Sequence, residues 1–195
     1  INITTKKGKA GFHRDINYNT ASHGTHNLAL SMSGADEKND FFVSLERFIT
    51  DGISAMNNND EKDGYKNSTL VDNYGYKFSE KLKLENNIRY IDTYLQYDTA
   101  NDWDVFTGKI FNDDNYETLH YLSGSMALNH KTSEQFTNRL TYSMNDIARV
   151  YNNYKDAHDE YLGERKALNY LGTYNFDLDS SVTFGIGAEF DQMDY

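Results

Sequence analysis

The sequence predicts an all-β fold of antiparallel, up-and-down strands. Apolar and polar residues alternate with a period of two in successive segments of about ten residues, the pattern of strands with one apolar face. Proline removes a donor from the hydrogen-bond ladder and is excluded from central strands, and this chain has none. Aromatic residues make up 14% of the chain, and this content argues against the disorder that the hydrophobic fraction of 38% and the net charge of −11 would otherwise indicate.

The alternation predicts about nine strands and no helix. In the fifth segment, KLKLENNIRYID, apolar positions alternate with Lys83, Glu85, Asn87 and Arg89. In chain order, the apolar positions of the segments are Phe12, Ile16 and Tyr18; Leu28, Leu30 and Met32; Phe41, Val43, Leu45 and Ile49; those of the run STLVDNYGYKF; Leu82, Leu84, Ile88 and Tyr90; Leu122, Met126 and Leu128; Phe136, Leu140, Tyr142 and Met144; Leu168, Tyr170, Tyr174, Phe176 and Leu178; and Val182, Phe184, Ile186 and Phe190.

The connections between these segments differ in length. Those near GADEKND, KFSEKLK, NHKTSEQ and FDLDSS are short, whereas residues 50–67, 98–116 and 150–165 form long polar stretches. Short and long connections alternate strictly in this interpretation. Because alternate connections of an up-and-down sheet lie at the same end, all the long loops are predicted to share one end.

These features favour a transmembrane β-barrel over a soluble antiparallel sandwich. The polar face is charged, aromatic residues gather toward the strand ends, and short turns at one end face long loops at the other, as in bacterial outer-membrane barrels. The strands are long enough for the roughly 9–11 tilted residues that cross the hydrocarbon layer. The sandwich remains the alternative, and it predicts a piece that is soluble when expressed alone.

Several function classes find no support in the sequence. The acidic balance argues against nucleic-acid binding, which uses a basic face. The chain has no cysteine, so neither a disulfide framework nor a thiolate metal site can form. No nucleophile elbow, phosphate-binding loop or Ser-His-Asp arrangement is present. We therefore expect a protein that is not an enzyme.

Two stretches resemble the TonB-dependent outer-membrane receptors. The segment INITTKKGKAG is similar to the last strand of their plug domain, and RFITDGISAMNNNDEKDGYKN resembles the second extracellular loop of the vitamin B12 receptor-like branch. The resemblance implies a 22-stranded barrel closed by an N-terminal plug. Residues 1–10 would end the plug and residues 11–195 would form the first nine or so strands. Nine strands also predict a partial barrel because single-chain bacterial barrels have even strand numbers.

The resemblance also implies a calcium site in the long loops, because acidic residues there bind calcium in the B12 receptor family. Flexible loops rich in carboxylates suit calcium, which takes 6–8 oxygen ligands. Glu61 replaces the aspartate that the family tends to have, and solvated acidic loops are the alternative interpretation. The matching positions are Asp51, Glu61, Asp63, Asp98 and Asp114.

A second candidate site is aromatic. Tyr151, Tyr154 and Tyr161 fall in the third predicted long loop, where they would stack on a large planar ligand or form the aromatic rim of a barrel. The resemblance implies energised uptake of a scarce nutrient across the bacterial outer membrane, driven by the TonB complex acting on the plug. Cobalamin is the first expected ligand and a ferric siderophore the second. The other classes left open are a passive porin, which has no plug, and an outer-membrane enzyme.

Overall fold

A computed structural model describes residues 6–54, 62–98, 115–153, 157–177 and 179–195. Within these ranges the chain forms a single sheet of nine strands. In chain order they are β1 (Gly11–Ala21), β2 (Thr25–Ala35), β3 (Asn39–Thr50), β4 (Tyr65–Ser79), β5 (Leu82–Gln96), β6 (Tyr116–Lys131), β7 (Phe136–Asn153), β8 (Ala157–Asn175) and β9 (Ser181–Asp194).

Each strand pairs antiparallel with the next one along the chain, and β1 and β9 lie at the two edges of the sheet. The prediction of an all-β, up-and-down antiparallel fold with about nine strands is thereby confirmed. Among the residues that the structure describes, no helix could span a lipid bilayer.

The connections correct the predicted loop pattern. The strands β3 and β4 are separated by residues 51–64, and β5 and β6 by residues 97–115, as the long polar stretches predicted. The third predicted long loop is wrong, because β7 and β8 continue to a terminal pair between Asn153 and Ala157. Its polar, tyrosine-containing sequence still pairs since ladder hydrogen bonds need no apolar side chain and tyrosine favours strands.

The strict alternation of short and long connections is therefore also wrong. At the end of the sheet that carries the two long loops, here called the long-loop end, β1 and β2 are joined by a tight turn. His23 and Gly24 in this turn both have positive φ, 58° and 62°. Two consecutive residues of this kind form the type I′ hairpin turn, for which glycine is well suited. The opposite end, with turns after β2, β4, β6 and β8, is the short-turn end.

The two faces of the sheet are defined by its register. Because side chains alternate between faces, residues paired across strands share a face. The inner face is the one that carries Asn73 and Glu85; its rows include Gly75–Glu85–Ala127 and Asn73–Asn87–Ser125. The outer face is the opposite one, with rows such as Tyr76–Leu84–Leu128.

Polarity on the outer face changes along the strands. Toward the short-turn end one row is fully apolar or aromatic: Leu84, Leu128, Leu140, Tyr170 and Ile186. Toward the long-loop end of β5–β9, the outer face instead carries ionisable groups, including the pair His120 Nδ1–Asp92 Oδ2 at 2.8 Å. Asp146 and Glu164 pair across β7 and β8 in the same zone. An apolar belt therefore covers only part of each strand.

Three of the buried side chains lie on the inner face: Ala127, Ala167 and Asn73 are 2%, 6% and 6% exposed. A fourth, Asn115, is 1% exposed and directly precedes β6 at the long-loop end. A second sheet layer is absent from the part of the chain that the structure describes.

Candidate functional site

The first long loop begins and ends at the same place beside the β1–β2 turn. The Asp51 amide donates to the His23 carbonyl at 2.9 Å. A Cβ on Gly24 would lie 2.7 Å from Asp51 Oδ2, and one on Gly52 would lie 2.0 Å from the Asp63 carbonyl oxygen. Gly52 also has a φ of 71°. Glycine at these two positions lets the loop close tightly on the hairpin.

The second long loop leaves β5 beside the first. The Gln96 amide donates to the Gly64 carbonyl at 2.9 Å. Ser54 Oγ donates to Asp98 Oδ2 at 3.4 Å. The fold therefore brings the chain segments that carry Asp51, Asp63 and Asp98 into one loop cluster.

That cluster contains part of the predicted calcium set. Asp51 Oδ2 accepts from Lys62 Nζ at 3.2 Å, so a cation is already present beside this carboxylate. Within the described ranges, no group of three or more His, Cys, Asp or Glu residues has the geometry of a metal site. Glu61 and Asp114 lie outside the described residues, as does Tyr154. The calcium site stays a prediction.

Tyr151 and Tyr161 meet on the inner face, near the long-loop end. Their rings form an edge-on pair with centroids 5.9 Å apart, and Tyr161 lies 6.4 Å from the ring of Tyr195. Arg149 donates from Nη1 to the Tyr151 hydroxyl at 3.3 Å, and its Nε lies 3.1 Å from Glu117 Oε1. The two described tyrosines of the predicted aromatic site thus adjoin each other and Tyr195 with a charged pair at their base.

This aromatic group belongs to a larger apolar surface. One inner row runs Ile91–Tyr121–Ile147–Gly163–Met193, and the next pairs Leu119 with Arg149 and Arg149 with Tyr161. We call the following set the apolar wall: Ile91, Leu119, Tyr121, Ile147, Tyr151, Tyr161, Met193 and Tyr195. A cleft of about 420 Å³ opens on it between Ile147, Tyr151, Tyr161 and Met193.

Gly163 keeps this cleft open. It lies between Ile147 and Met193 in the inner row, and a Cβ built on it would be 2.8 Å from Ile147 Cγ2. Because the isoleucine is branched at Cβ, its χ1 is stiff and it cannot easily turn away.

The inner face near the short-turn end is polar and centres on Glu85. Its carboxylate accepts from Lys7 Nζ at 2.9 Å and from Arg139 Nη1 at 2.9 Å. Asn129 Nδ2 donates to the same group at 3.2 Å. Lys83 Nζ lies 3.5 Å from Glu85 and 3.0 Å from Asp40. With an exposed side-chain fraction of 19%, the carboxylate is held by cations from three elements.

The N-terminal segment, residues 6–9, lies across this polar surface. Asn73 Nδ2 donates to the Lys6 carbonyl at 2.9 Å, and the Lys6 ammonium lies 5.8 Å from the ring centroid of Phe42. At Gly8 a Cβ would lie 2.1 Å from the Gly34 carbonyl oxygen and 2.8 Å from the Phe41 amide nitrogen. Only glycine permits so close an approach of two backbones.

The alternation predicted that Glu85 lies on the polar face, but it did not predict this seat for the N-terminal segment. The signal was the run KKGK before the first strand, in which Gly8 stands between lysines. A glycine flanked by cations suits a segment that approaches a carboxylate-bearing surface closely. The sequence analysis also did not predict the apolar wall, because it assigned the apolar residues of each strand to the same face along the full length of the strand.

The sequence matches no protein-family model and no curated protein. Solved structures do match. One is titled the structure of the RagAB peptide importer in the 'closed-closed' state, with a TM-score of 0.62 and 12% identity over 87% of this chain. Another is titled the structure of the RagAB peptide transporter, with a TM-score of 0.61 and 12% identity. This chain spans 24% of the length of each. At this identity the likeness shows the fold alone, an antiparallel up-and-down sheet that also occurs within these structures.

Proposed function

We propose that this chain is part of a TonB-dependent receptor that imports a large, scarce nutrient through the bacterial outer membrane, and that it is not an enzyme. The observation that carries the proposal is the seat of residues 6–9. The segment lies across the inner face, held by Lys7, Gly8 and the Lys6 carbonyl. A passive porin needs an open lumen, whereas a gated importer needs chain inside the barrel.

Membrane placement follows from the outer face. A barrel in lipid needs an apolar band about 25 Å tall, and the row through Leu128, Leu140 and Ile186 supplies apolar side chains there. The inner face at the same level carries Glu85, Lys83 and Arg139, groups that a hydrated or plug-filled lumen accommodates. The partner that energises transport would be the TonB complex, acting through a plug that residues 1–10 end.

Cobalamin is the ligand that we propose first. The support is the resemblance of the TDGISA and DGY motifs to the B12 receptor-like branch, with Tyr151, Tyr154 and Tyr161 as stacking residues. Calcium bound by Asp51, Glu61, Asp63, Asp98 and Asp114 would order the loops for ligand capture. A ferric siderophore is the second candidate of the sequence resemblance. The titles of the similar structures name peptide transport, so a peptide is a further candidate.

The test uses the full-length protein in the outer membrane of a host that lacks its own cobalamin receptor. We expect uptake of radiolabelled cobalamin that stops when the inner membrane is de-energised, and binding that weakens at least tenfold when calcium is chelated. The double variant Asp51→Asn/Asp63→Asn should reproduce the effect of the chelator. Asp36→Asn, in the β2–β3 turn at the other end of the sheet, is the matched control and should bind normally.

The possible results separate the proposals. Uptake that continues without inner-membrane energy contradicts the gated importer and favours a porin. Energised uptake of a ferric siderophore or of peptides, without cobalamin binding, would support the proposed importer and contradict cobalamin as its ligand. Calcium-independent cobalamin binding contradicts only the metal site.

A further inference from the structure

The inner face contains an apolar wall where a water-filled passage would be expected to be polar. Its members include Ile147 and Tyr161, which are 39% and 46% exposed. On the same strands, nearer the short-turn end, the inner positions are Ser143, Arg165 and Asp191. The inner face therefore changes from polar to apolar along the same strands. Exposed apolar patches of this kind mark binding sites.

The outer face beside the wall changes in the opposite sense. Behind Tyr121, Ile147 and Met193 the outer positions are His120, Asp146 and Gln192. Beside the wall, the outer face therefore carries polar and ionisable groups together with apolar residues such as Leu122 and Leu162. Outer charges at this level fit water rather than lipid, so the wall lies outside the hydrocarbon layer and faces the space where a ligand would arrive.

The charges around the wall are mainly negative. From the row of Ile91 toward the long-loop end, the inner positions of the described strands carry Glu46, Glu117 and Asp159 against Arg149, whereas Arg89, Arg165 and Asp191 lie one inner row nearer the short-turn end. Arg149 is engaged by Glu117 at 3.1 Å. The polar surface at the other end differs, since Lys7, Lys83 and Arg139 gather there around Glu85 and Asp40.

We propose that the apolar wall binds the apolar part of a neutral or cationic ligand and discriminates against anionic ligands. This inference deepens the proposed importer and rests on it. Tyr161 and Met193 supply contact area, Gly163 leaves room beside Ile147, and the carboxylates of Glu117 and Asp159 set the sign of the charge. Desolvation of apolar surface supplies affinity, while charge complementarity supplies selectivity.

The experiment measures binding of three probe peptides to the purified full-length protein in detergent by isothermal titration calorimetry. The probes share two phenylalanines and differ only in their flanking charges: the end-capped tetrapeptides KFFK, SFFS and EFFE. We expect KFFK to bind most tightly and EFFE at least roughly tenfold more weakly. The preference should shrink at high salt, because exposed charges are screened.

Two variants assign the effect to the wall. Tyr161→Ser should weaken binding of KFFK and SFFS roughly tenfold, as expected for truncation of a central aromatic contact. Glu117→Gln leaves Arg149 without its carboxylate and should remove the preference for KFFK over EFFE. Tyr18→Ser is the matched control, because Tyr18 is 59% exposed on the outer face, and it should bind all probes as the wild type does.

A heat-dependent shift in electrophoretic mobility verifies that each variant has a folded barrel. Equal binding of KFFK and EFFE, absence of measurable binding for all three probes, or unchanged binding in folded Tyr161→Ser overturns the inference. The proposed importer is judged separately by energised uptake in cells. Energised uptake without a charge preference in binding would support the proposed importer and contradict the proposed role of the apolar wall.

Discussion

The two ends of the inner face differ in what holds them together. Near the short-turn end, Glu85 gathers Lys7, Lys83 and Arg139, and Gly8 lets the N-terminal segment approach the backbone of Gly34 closely. Near the long-loop end, the inner face carries the apolar wall beside the carboxylates of Glu46, Glu117 and Asp159, and Glu117 lies 3.1 Å from Arg149. The first region is suited to hold the N-terminal segment of the chain, and the second is suited to bind another molecule.

The outer face makes the same comparison in reverse. It carries an apolar row where the inner face is polar, and it gains ionisable groups such as Asp92, His120 and Asp146 where the inner face carries the apolar wall. A β-strand has only two faces. A change in the polarity of both faces at one point along the strand therefore indicates that the surroundings of the strand change at that point. On strands β5–β9 this difference is what we expect if each strand has a part in lipid and a part beyond it.

The largest expected effect comes from a charge placed on the outer apolar belt. Leu128→Arg should destabilise the folded barrel by more than about 1 kcal/mol, because the cost of arginine on the lipid face rises toward about 2–4 kcal/mol at the bilayer midplane. Leu162→Arg should cost roughly 0–1 kcal/mol, because Leu162 lies on the outer face beside Asp194 near the long-loop end. The two leucines are similarly exposed, at 37% and 39%. Unfolding by denaturant in vesicles measures both, and equal costs would contradict the comparison.

The next effect concerns the seat of the N-terminal segment. Gly8→Ala should detach residues 6–9 or displace Gly34 and Phe41, at a cost of about 1–3 kcal/mol from overpacking. Gly124→Ala is the matched control, since the nearest atom to its added Cβ would be 3.6 Å away. Detachment should also raise the permeability of the outer membrane to a large antibiotic. A tight, impermeable Gly8→Ala protein would show that the segment does not rest there.

A smaller effect on stability distinguishes the carboxylate of Glu85, which has several cationic partners, from the isolated Arg165–Asp191 pair. Glu85→Gln removes the partner of Lys7, Lys83 and Arg139, and should cost about 1–2 kcal/mol, since the cations are partly exposed. Asp191→Asn breaks the Arg165 pair, which is bidentate at 2.7 and 2.8 Å but more than half exposed, and it should lower the unfolding temperature less than Glu85→Gln does. Thermal unfolding in detergent compares them. A larger cost for Asp191→Asn would be evidence against the role of Glu85.

The smallest effect is a pH dependence in the β2–β3 turn. The amide groups of Asn39 and Lys38 donate to Asp36 at 2.6 and 2.8 Å and lower the pKa of its carboxyl from the usual value of 3.8. A lowered pKa means that the ionised group stabilises the folded state above its ordinary pKa, and that this contribution is lost as the pH falls. The difference in unfolding midpoint between wild type and Asp36→Ala should therefore vanish in strong acid. A difference that grows on acidification would contradict the sign.

Much of the fold could be predicted from the sequence because apolar and polar side chains alternate with a period of two along a strand. This pattern is visible without knowledge of the partner strand. The segments through Leu84 and Leu140 gave their strands and faces directly. The extension of β7 and β8 could not be predicted, since Asn152, Asn153 and His158 look like loop residues until a partner strand is known. Long-range contacts such as Lys7–Glu85, separated by 78 positions, leave no local pattern at all.

The candidate site was predicted in part for the same reason. Tyr151 and Tyr161 were singled out as aromatic residues in a polar stretch, and the register places them near each other. Their neighbours Ile91 and Leu119 were missed, because an apolar residue at an inner position is meaningful only when the face has been assigned. That assignment depends on the register of β5 with β6, which alternation alone does not specify.

The most direct test of this change in polarity along the strands is nitroxide labelling, which is clean because the chain has no cysteine. Single cysteines would replace Leu128, Leu162, Ser143 and Ile147 in the full-length protein, reconstituted in lipid vesicles. Accessibility to oxygen reports lipid, and accessibility to a water-soluble nickel chelate reports water. We predict that only the label at position 128 is in lipid. A label at position 162 that is as lipid-exposed as the one at 128, or one at 143 that faces lipid, would contradict the account.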